Sequence, residues 1–485
     1  MARAHEPVGA HAGAAGGSAC GDLVTLRVTV EGGRVADAGF DAAGCGATIA
    51  AGSAAVALTR GQPLLDAARV GTFEIAAELG GLSPGKLHAA ELAADALHRA
   101  LGAAARADAS VDQNPDRVLV AMSGGVDSAV AALLSAREGG DVAAVTLELW
   151  RDPDNDGEKS CCSASAVRGA RALAHRMGLP HFTLDLREEF RAGVVEPWLA
   201  DHAAGLTPNP CVRCNGSVRL DAMLAFADRL GAHHLATGHY ARVTPDGLLR
   251  AAADPAKDQA YMLAALDPAT IARMRFPLGE LAKPEVRALA AEAGLPVATK
   301  ADSQDLCFLA GTGRAAFLAR HGGLRDRPGD LVDRRGARVG RHRGHHNFTV
   351  GQRRGIGLGG GGDPLYVLRT DADANTVEVG AREELQTSTV TLRDVRLHRT
   401  AEAVDAVKLR YRSKALPCTL DGNIARLGEP VDGAAPGQAA VLLAGDVVVG
   451  CATIAANSRS PRSCCPLPES AGSPPLIPKQ SSPAR

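Results

Sequence analysis

Ser123-Gly124-Gly125-Val126-Asp127-Ser128 stands between an apolar run and a run rich in Ala and Leu, and the fold follows from that order. The first run, Val118 to Met122, is typical of a buried parallel strand, and the second, Ala129 to Ser135, predicts a helix start. A glycine turn between a strand and a helix N-terminus presents backbone N–H groups and a positive dipole end to an anion. Gly124 and Gly125 let the backbone approach a phosphate. The hexapeptide lacks a Walker lysine, and the alternative is a plain glycine-rich turn.

Length and composition indicate several domains. A chain of 485 residues is too long to fold around one hydrophobic core. Its apolar content of 46% is ordinary for a soluble protein. The formal net charge of −1 supplies no global attraction for nucleic acid, so RNA binding needs a local basic patch. Without an apolar run of membrane-spanning length or a signal peptide, we expect a cytoplasmic protein. The eleven cysteines are then expected to be catalytic, metal-binding or buried, and not a disulfide framework.

Strands that alternate with helices predict an α/β doubly wound parallel sheet between residues 117 and 310. Ligands of such sheets bind at the carboxyl ends of the strands, where residues 123–128 lie. Besides 118–122, the expected strands are 142–150, 181–185 and 234–237, and the expected helices are 163–177 and 218–230.

The first 105 residues predict a separate α+β domain, followed by a linker at 106–116. A hairpin is expected from alternating strands at 23–30 and 35–42, followed by helices at 47–60 and 87–101. Two cysteines beside glycines, Cys20 and Cys45, suit reactive or ligating thiols. With Asp22 and His88 they make the segment resemble the iron–sulfur scaffold family of the NifU/IscU type.

That resemblance implies a site for zinc or an iron–sulfur cluster on Cys20, Asp22, Cys45 and His88. The family's third cysteine should follow His88, but Ala89 stands there. Asp22 and His88 with two thiolates would still make four ligands. The alternative is a docking surface for a sulfur donor, and the sequence leaves both open.

Three further segments carry polar and thiol groups. Residues 207–215 contain Cys211 and Cys214 and are expected to form a loop, because two prolines exclude regular structure. Residues 236–242 form a strand end, and 302–308 a loop with Cys307. Together with Lys257-Asp258-Gln259, these segments resemble the tRNA-specific 2-thiouridylase family of the MnmA type, over residues 118–454.

The resemblance implies a sulfurtransferase that uses ATP and Mg²⁺. Enzymes of this family adenylate the C2 oxygen of the wobble uridine in tRNAs for Lys, Glu and Gln, release pyrophosphate, and replace that oxygen by sulfur. Cys307 matches the cysteine that receives persulfide sulfur from a cysteine desulfurase or relay protein. Cys214 matches the nucleophile that attacks this persulfide, releasing sulfide or forming a disulfide.

Other site residues follow from the same resemblance. Asp127 is expected to orient magnesium, and Tyr411 to stack on a base. The ATP-binding positions are Ala121, Met122, Ser123, Gly124, Gly125, Val126, Asp127, Ser128, Leu147 and Gly238. The tRNA-binding positions are Asn209, Pro210, Cys211, His239, Lys257, Asp258, Gln259, Arg410, Tyr411 and Gln438.

Three alternatives remain open at this point. Cys211, Cys214 and Cys307 are three thiolates, which can hold a 4Fe–4S cluster with one open iron for hydrosulfide. A second alternative is an enzyme that adenylates a small metabolite, which leaves Cys214 and Cys307 unexplained. A third is a non-enzymatic iron–sulfur carrier, against which the intact loop at 123–128 argues.

The remainder of the chain predicts RNA-facing domains. Residues 311–375 are expected to form a central tRNA-binding domain, and 376–456 a C-terminal β-barrel of short strands. Cys418 and Cys451 fall in strand patterns and are expected in the core, whereas Cys161-Cys162 are expected to be structural. Residues 457–485 are rich in Ser and Pro, which predicts a disordered tail. Residues 325–354 are expected to supply the local basic surface that contacts tRNA phosphates. Its basic residues are Arg334, Arg335, Arg338, Arg341, His342, Arg343, His345, His346, Arg353 and Arg354.

Overall fold

A computed structural model describes residues 2–3, 7–16, 21–152, 163–302, 306–309, 311–358 and 363–456. The predictions for Cys20, for Cys161-Cys162 and for the tail at 457–485 lie outside these residues. Across the described ranges, no helix is both long and apolar enough to cross a membrane.

The N-terminal domain packs helices on an antiparallel sheet. Its strand order is Ala2–Arg3, Arg34–Ala43, Leu23–Glu31 and His11–Gly16, which confirms the predicted hairpin. In Leu23–Glu31 alternate residues are buried, as expected for a strand with one face on a core. The helices are Gly46–Thr59, Leu64–Ala67, Thr72–Glu78 and Leu87–Asp108.

The last of these helices, Leu87–Asp108, is called here the interdomain helix, and it corrects the predicted linker. The linker was expected at 106–116, but the helix continues to Asp108 and a strand begins at Asn114. Alanines at 103–105 favour helix continuation. Pro115 is tolerated because it lies at the start of its strand. Only residues 109–113 therefore connect the two domains.

The second domain contains the predicted parallel sheet. Its strand order is Met274–Arg275, Ala232–Ala236, Asn114–Ala121, Asp141–Glu148 and His181–Asp185, all parallel. Helices Val126–Arg137, Ala164–Arg176, Arg187–Phe190, Glu196–Ala203, Leu220–Arg229, Ala260–Leu263, Pro268–Arg273, Lys283–Glu292 and Arg314–Gly322 surround it.

The interdomain helix packs directly on the edge strand His181–Asp185. Asp95 forms an ion pair of 2.6 Å with Arg171, and both side chains are 4% exposed. Arg99 contacts Glu148 at 2.5 Å, and the two ring nitrogens of His98 lie 2.7 and 2.9 Å from backbone carbonyl oxygens. These contacts join the first domain to the parallel sheet.

Two β-domains follow. The central one is a four-stranded sheet with the order Arg338–His342, Gly329–Val332, Thr376–Gly380 and Tyr366–Asp371. Its third strand was expected in the barrel, but it pairs with Gly329–Val332 and Tyr366–Asp371. The predicted boundary at 376 therefore cuts through a strand of the central sheet.

The C-terminal barrel closes through six strands. They are Gln386–Leu397, Ile424–Asp432, Leu416–Asp421, Ala406–Lys408, Ala439–Ala444 and Val447–Ile454, and the last pairs again with the first. The strand Ala406–Lys408 ends before Arg410 and Tyr411, which lie in the turn that follows. Burial raises the pKa of Cys418 to about 11 and also raises that of Cys451, as expected for core thiols.

Candidate functional site

Residues Ser123–Ser128, called here the glycine loop, lie at the carboxyl edge of the parallel sheet. The helix Val126–Arg137 starts within the loop. The Ser123 backbone N–H donates to Ser128 Oγ at 3.1 Å, and Ser128 Oγ donates to the Gly125 carbonyl oxygen at 3.1 Å. Gly124 has a φ of +71°, which L side chains rarely adopt. The loop is thus preformed with its backbone open to an anion.

The other predicted nucleotide positions surround this loop. Ala121 ends the strand before it, Met122 is buried, and Leu147 lies in the adjacent strand Asp141–Glu148. Gly238 approaches the loop so closely that a Cβ there would stand 2.8 Å from the Ser128 backbone nitrogen. The structure therefore brings these predicted residues together at one edge of the sheet.

Asp127 is held by a buried lysine that sequence reasoning missed. Lys283 Nζ lies 2.7 and 2.8 Å from the two Asp127 carboxylate oxygens, and Tyr240 Oη donates to Oδ1 at 2.8 Å. Burial, with Asp127 next, raises the pKa of Tyr240, so the phenol stays protonated. The only signal in the sequence was a lysine before Pro284 at a helix start, and such lysines are usually exposed.

The same lysine reaches the segment before Cys307. Lys283 Nζ also lies 2.9 Å from Asp302 Oδ1, while Lys257 pairs with Oδ2 at 2.8 Å and Arg287 with Oδ1 at 3.0 Å. Although burial acts to raise the pKa of Asp302, hydrogen bonds from Lys257 and Lys283 lower it to about 2. Asp302 is therefore a carboxylate at neutral pH.

Cys211 and Cys214 lie on a helix and not in the loop expected at 207–215. The helix Pro210–Cys214 starts with a proline at a position where no intrahelical N–H bond is needed. Asn209 Oδ1 caps it by accepting from the backbone N–H of Cys211 and Val212, at 3.1 and 3.4 Å. The prolines thus set the start of the helix instead of preventing it.

This helix continues into a π-helical turn, Asn215–Arg219, directly after Cys214. A second π-helical turn, Arg191–Val195, packs against it, and a Cβ on Gly193 would stand 2.6 Å from Val218. Single π-turns are frequent at functional sites. The backbone after Cys214 is therefore locally wound differently from an α-helix, which the sequence pattern did not reveal.

Cys214 and Cys307 both belong to elements packed on the helices between Arg187 and Ala203. The helix Pro210–Cys214 contacts Arg191–Val195, and Phe308, beside Cys307, contacts the rings of Phe190 and Trp198 at 5.9 and 5.3 Å between centroids. Cys214 is buried, whereas Cys211 and Cys307 are half-buried.

The structure does not fit a metal cluster on these thiols. Within the described ranges, which include Cys211, Cys214 and Cys307, no three His, Cys, Asp or Glu side chains are grouped so that they could hold a metal ion. A cluster with three cysteine ligands requires such a group.

The residues predicted to face tRNA beside this edge make internal contacts. Gln259 Oε1 accepts from the Tyr240 backbone N–H at 3.0 Å, and Asp258 Oδ1 accepts from the backbone N–H of Ala260 at 3.2 Å. Burial, with Arg219 next, lowers the pKa of His239 to about 3. His239 is therefore neutral, and the positive charge beside it belongs to Arg219.

The barrel supports the loop in front of Cys211. Gln438 Nε2 donates to the Thr207 carbonyl oxygen at 2.6 Å, and Tyr261 Oη donates to the Ala439 carbonyl oxygen at 2.8 Å. Tyr411 is half-buried with its ring 6.0 Å from that of Tyr261, and Arg410 is exposed. The barrel edge is thus hydrogen-bonded to the chain that leads into the cysteine-bearing helix.

The predicted basic surface at 325–354 is smaller than expected. His342, His345 and His346 are buried. Burial lowers the pKa of His342 and of His346, so these two side chains add no positive charge. Arg343 pairs with Asp326 at 2.9 Å. The exposed arginines that the stretch still presents include Arg335, Arg338, Arg353 and Arg354.

In the N-terminal domain, three of the four predicted metal ligands, Asp22, Cys45 and His88, converge. Asp22 Oδ2 accepts from Thr48 Oγ1 at 2.6 Å and lies 3.5 Å from His88 Nε2. Lys86 Nζ lies 3.7 Å from Cys45 Sγ. The described ranges contain no metal-binding group here, and Cys20 lies outside them. Hydrogen bonds from Thr48 lower the pKa of the Cys45 thiol.

Four family profiles match the chain in succession. They are a NifU-like N terminal domain over residues 3–108, a tRNA methyl transferase HUP domain over 116–311, a tRNA methyl transferase PRC-barrel domain over 315–381, and an aminomethyltransferase beta-barrel domain over 382–454. The order agrees with the four folded units described above.

Similar proteins cover nearly all of the chain. A bifunctional protein NifU/MnmA of Rubrobacter xylanophilus is 43% identical over 452 residues, which is 90% of this chain and 91% of that protein. A tRNA-specific 2-thiouridylase MnmA of Rhizorhabdus wittichii is 44% identical over 69% of this chain and 90% of its own length. That of Salinispora tropica is 45% identical over 70% of this chain and 99% of its own length.

Proposed function

Because the chain belongs to the tRNA-specific 2-thiouridylase family, in the form fused to a NifU-like domain, we propose that it makes 2-thiouridine at the tRNA wobble position. The chain is a tRNA sulfurtransferase of this family, whose reaction is ATP-dependent adenylation followed by sulfur transfer. The observation that supports the assignment to specific residues is that Lys283 contacts both Asp127 of the glycine loop and Asp302, which precedes Cys307 by five residues.

In the first half-reaction, the uridine C2 oxygen attacks the α-phosphate of ATP and pyrophosphate leaves. A carbonyl oxygen is a poor leaving group, and its conversion to an AMP ester makes it displaceable. We assign the phosphate cradle to Ala121–Ser128, with Leu147 and Gly238 beside the nucleotide. Asp127 offers the carboxylate oxygen that Mg²⁺ prefers, and the ion would neutralise phosphate charge.

In the second half-reaction, Cys307 carries the sulfur as a persulfide. The Cys214 thiolate attacks the Cys307 sulfur bound to the chain, which forms a Cys214–Cys307 disulfide and expels hydrosulfide. Hydrosulfide then attacks C2 of the adenylated uridine, and AMP leaves. The disulfide is reduced by an external thiol before the next turnover. The absence of a metal-binding group among the described residues supports this path over a cluster on Cys211, Cys214 and Cys307.

The substrate and partners follow from the same proposal. The tRNAs are those for Lys, Glu and Gln, and they lie across the barrel edge, with Arg410, Tyr411 and Gln438, toward Asn209, Pro210 and Cys211. We also assign His239, Lys257, Asp258 and Gln259 to the side that faces the tRNA, where they hold neighbouring elements in place. The enzyme works in the cytoplasm, where its tRNA substrate is found.

The N-terminal domain is proposed to dock a cysteine desulfurase or a relay protein. Asp22 is hydrogen-bonded to Thr48 and Cys45 contacts Lys86, which supports a docking role, while the predicted fourth ligand, Cys20, lies outside the described residues. Metal and sulfide analysis of the anaerobically purified full chain tests this assignment. Stoichiometric zinc or iron that is lost on Cys45→Ala would contradict it.

The function is tested with the full chain, ATP, unmodified tRNA and a persulfide donor, with 2-thiouridine measured by mass spectrometry of digested tRNA. Cys214→Ala and Cys307→Ala are expected to abolish product while ATP binding is retained. Cys451→Ala, which removes a barrel-core thiol, is the matched control and is expected to stay active. Full activity of Cys307→Ala would contradict the persulfide path.

A further inference from the structure

One buried ammonium links the glycine loop to the segment that precedes Cys307. Lys283 is 10% exposed and lies within 2.9 Å of carboxylate oxygens of both Asp127 and Asp302. An ammonium has three N–H donors and no acceptor, so Lys283 can donate to both carboxylates at once. At such low exposure their attraction to it is weakly screened by solvent. A movement of Lys283 therefore changes the contacts of both Asp127 and Asp302.

The far end of this link is close to Cys307 in sequence. Asp302 precedes Cys307 by five residues. Phe308 is 4% exposed and packs on Phe317 at 5.2 Å between ring centroids, so the chain is fixed directly after the cysteine. On the other side, the ion pairs with Lys257, Lys283 and Arg287 hold Asp302 itself. An aromatic contact thus holds the residue after Cys307, and an electrostatic contact holds Asp302, five residues before it.

The electrostatic contact is shared with residues that do not touch the glycine loop. Lys257 and Arg287 pair with Asp302 at 2.8 and 3.0 Å, and the contacts described here to Asp127 come from Lys283 and Tyr240. If Lys283 turns away, Asp302 keeps two cations but loses its bond toward the loop. The arrangement therefore allows Asp302 to shift without leaving a buried carboxylate uncompensated.

The geometry points to Lys283 as a positioning residue that couples nucleotide occupancy of the glycine loop to the reactivity of Cys307. The inference rests on the proposed function, because it takes the occupant of the loop to be ATP. The triphosphate brings negative charge beside Asp127 and attracts the Lys283 ammonium. The contact between Lys283 and Asp302 then weakens, and the Cys307 thiol becomes more accessible. Persulfide sulfur is thereby offered when the activating nucleotide is already bound.

The test measures thiol alkylation in the full chain, with and without Mg²⁺ and the ATP analogue α,β-methylene-ATP. Trypsin separates the relevant cysteines: residues 301–314 contain Cys307, residues 214–219 contain Cys214, and residues 192–213 contain Cys211. The iodoacetamide rate of each peptide is read by mass spectrometry. Nucleotide is expected to raise the rate at Cys307 about fivefold, which is a modest coupling between two sites.

The decisive variant is Asp302→Asn, because it leaves the Lys283–Asp127 contact in place. It is expected to bind the analogue as the wild type does and to show the same Cys307 rate with and without nucleotide. Lys257→Met is the matched control, since it removes an Asp302 partner that does not reach Asp127. It is expected to change the basal rate and keep the nucleotide response. Lys283→Arg is expected to retain part of the response, and Lys283→Met none.

The outcomes separate this inference from the proposed function. If the wild type binds the analogue but Cys307 does not respond, or if Asp302→Asn responds like the wild type, the coupling is wrong and the function stands. If equilibrium dialysis finds no binding of the analogue to the wild type, the proposed function itself fails.

Discussion

Gly102 of the interdomain helix lies against the backbone of Thr183 in the edge strand of the parallel sheet. A Cβ at position 102 would stand 2.0 Å from the Thr183 carbonyl oxygen, which is backbone and cannot turn aside. The glycine is therefore required by the contact between two domains, and not by its own backbone angles.

Gly102→Ala is expected to lower the free energy of unfolding by about 1–3 kcal/mol, because the helix must move off the strand. Thermal and urea unfolding measure it. The matched control is Gly169→Ala in the helix Ala164–Arg176, where nothing lies within 4 Å of the added Cβ. That change is expected to stabilise by about 0.5–1 kcal/mol. Equal effects of the two substitutions would contradict the close-contact explanation.

Gly125→Ala separates folding from nucleotide binding. Its added Cβ meets only Ser123 Oγ, at 3.5 Å, so the fold is expected to keep its stability. A phosphate on the loop would meet the methyl group, and we expect ATP to bind about tenfold more weakly or worse, which corresponds to about 1.4 kcal/mol. Calorimetric titration with ATP measures the affinity. Unchanged affinity would show that the phosphates bind elsewhere.

The domain junction is expected to weaken in acid through His175. Burial, with Arg171 contributing, lowers the pKa of His175 from 6.5 to about 4. Between these values the unfolded chain binds a proton that the folded chain does not, so stability falls as the pH falls from about 6.5 to 4. The loss is about 2 kcal/mol after allowing for partial exposure.

His175→Gln is expected to show a smaller loss of stability over this pH range, measured by urea unfolding at pH 7 and pH 4.5. His233→Gln, at an exposed position, is the control and should follow the wild type. An unchanged pH dependence in His175→Gln would show that other groups dominate the acid response.

The exposed arginines of the central domain are expected to contact tRNA phosphates. Arg353→Ala combined with Arg354→Ala should weaken tRNA binding and reduce the slope of log K against log salt by about 1.5, since each phosphate contact releases counterions. Filter binding at several salt concentrations measures both. Arg343→Ala is the control, because Arg343 already pairs with Asp326. A slope that falls equally in the control would contradict the assignment to Arg353 and Arg354.

The sequence was sufficient for features that local pattern determines. The glycine loop and the strands beside it follow from apolar runs and turn residues, and the structure confirms them. The loop predicted at 207–215 is wrong, because the rule that proline breaks helices does not apply to the first turn of a helix. Pro210 occupies that turn, and Asn209 caps it.

The burial and charge state of several side chains depend on long-range contacts, which the sequence pattern does not predict. The sequence around Lys283 predicts a surface lysine, because its partner Asp127 is far away in sequence. Only the fold places Lys283 against Asp127 and Asp302. His342 and His346 read as part of a basic surface until their burial is known. In each case the charge state of a side chain depends on neighbours that no local pattern specifies.

The buried pair of Asp95 and Arg171 has a consequence for modularity. Asp95 lies in the NifU-like domain and Arg171 in the HUP domain, yet each neutralises the other where solvent does not reach. Excising the first domain would leave Arg171 without its counter-ion and uncover the sheet edge beneath the interdomain helix. The N-terminal domain thus supplies part of the covering of the parallel sheet, although only residues 109–113 connect the two domains.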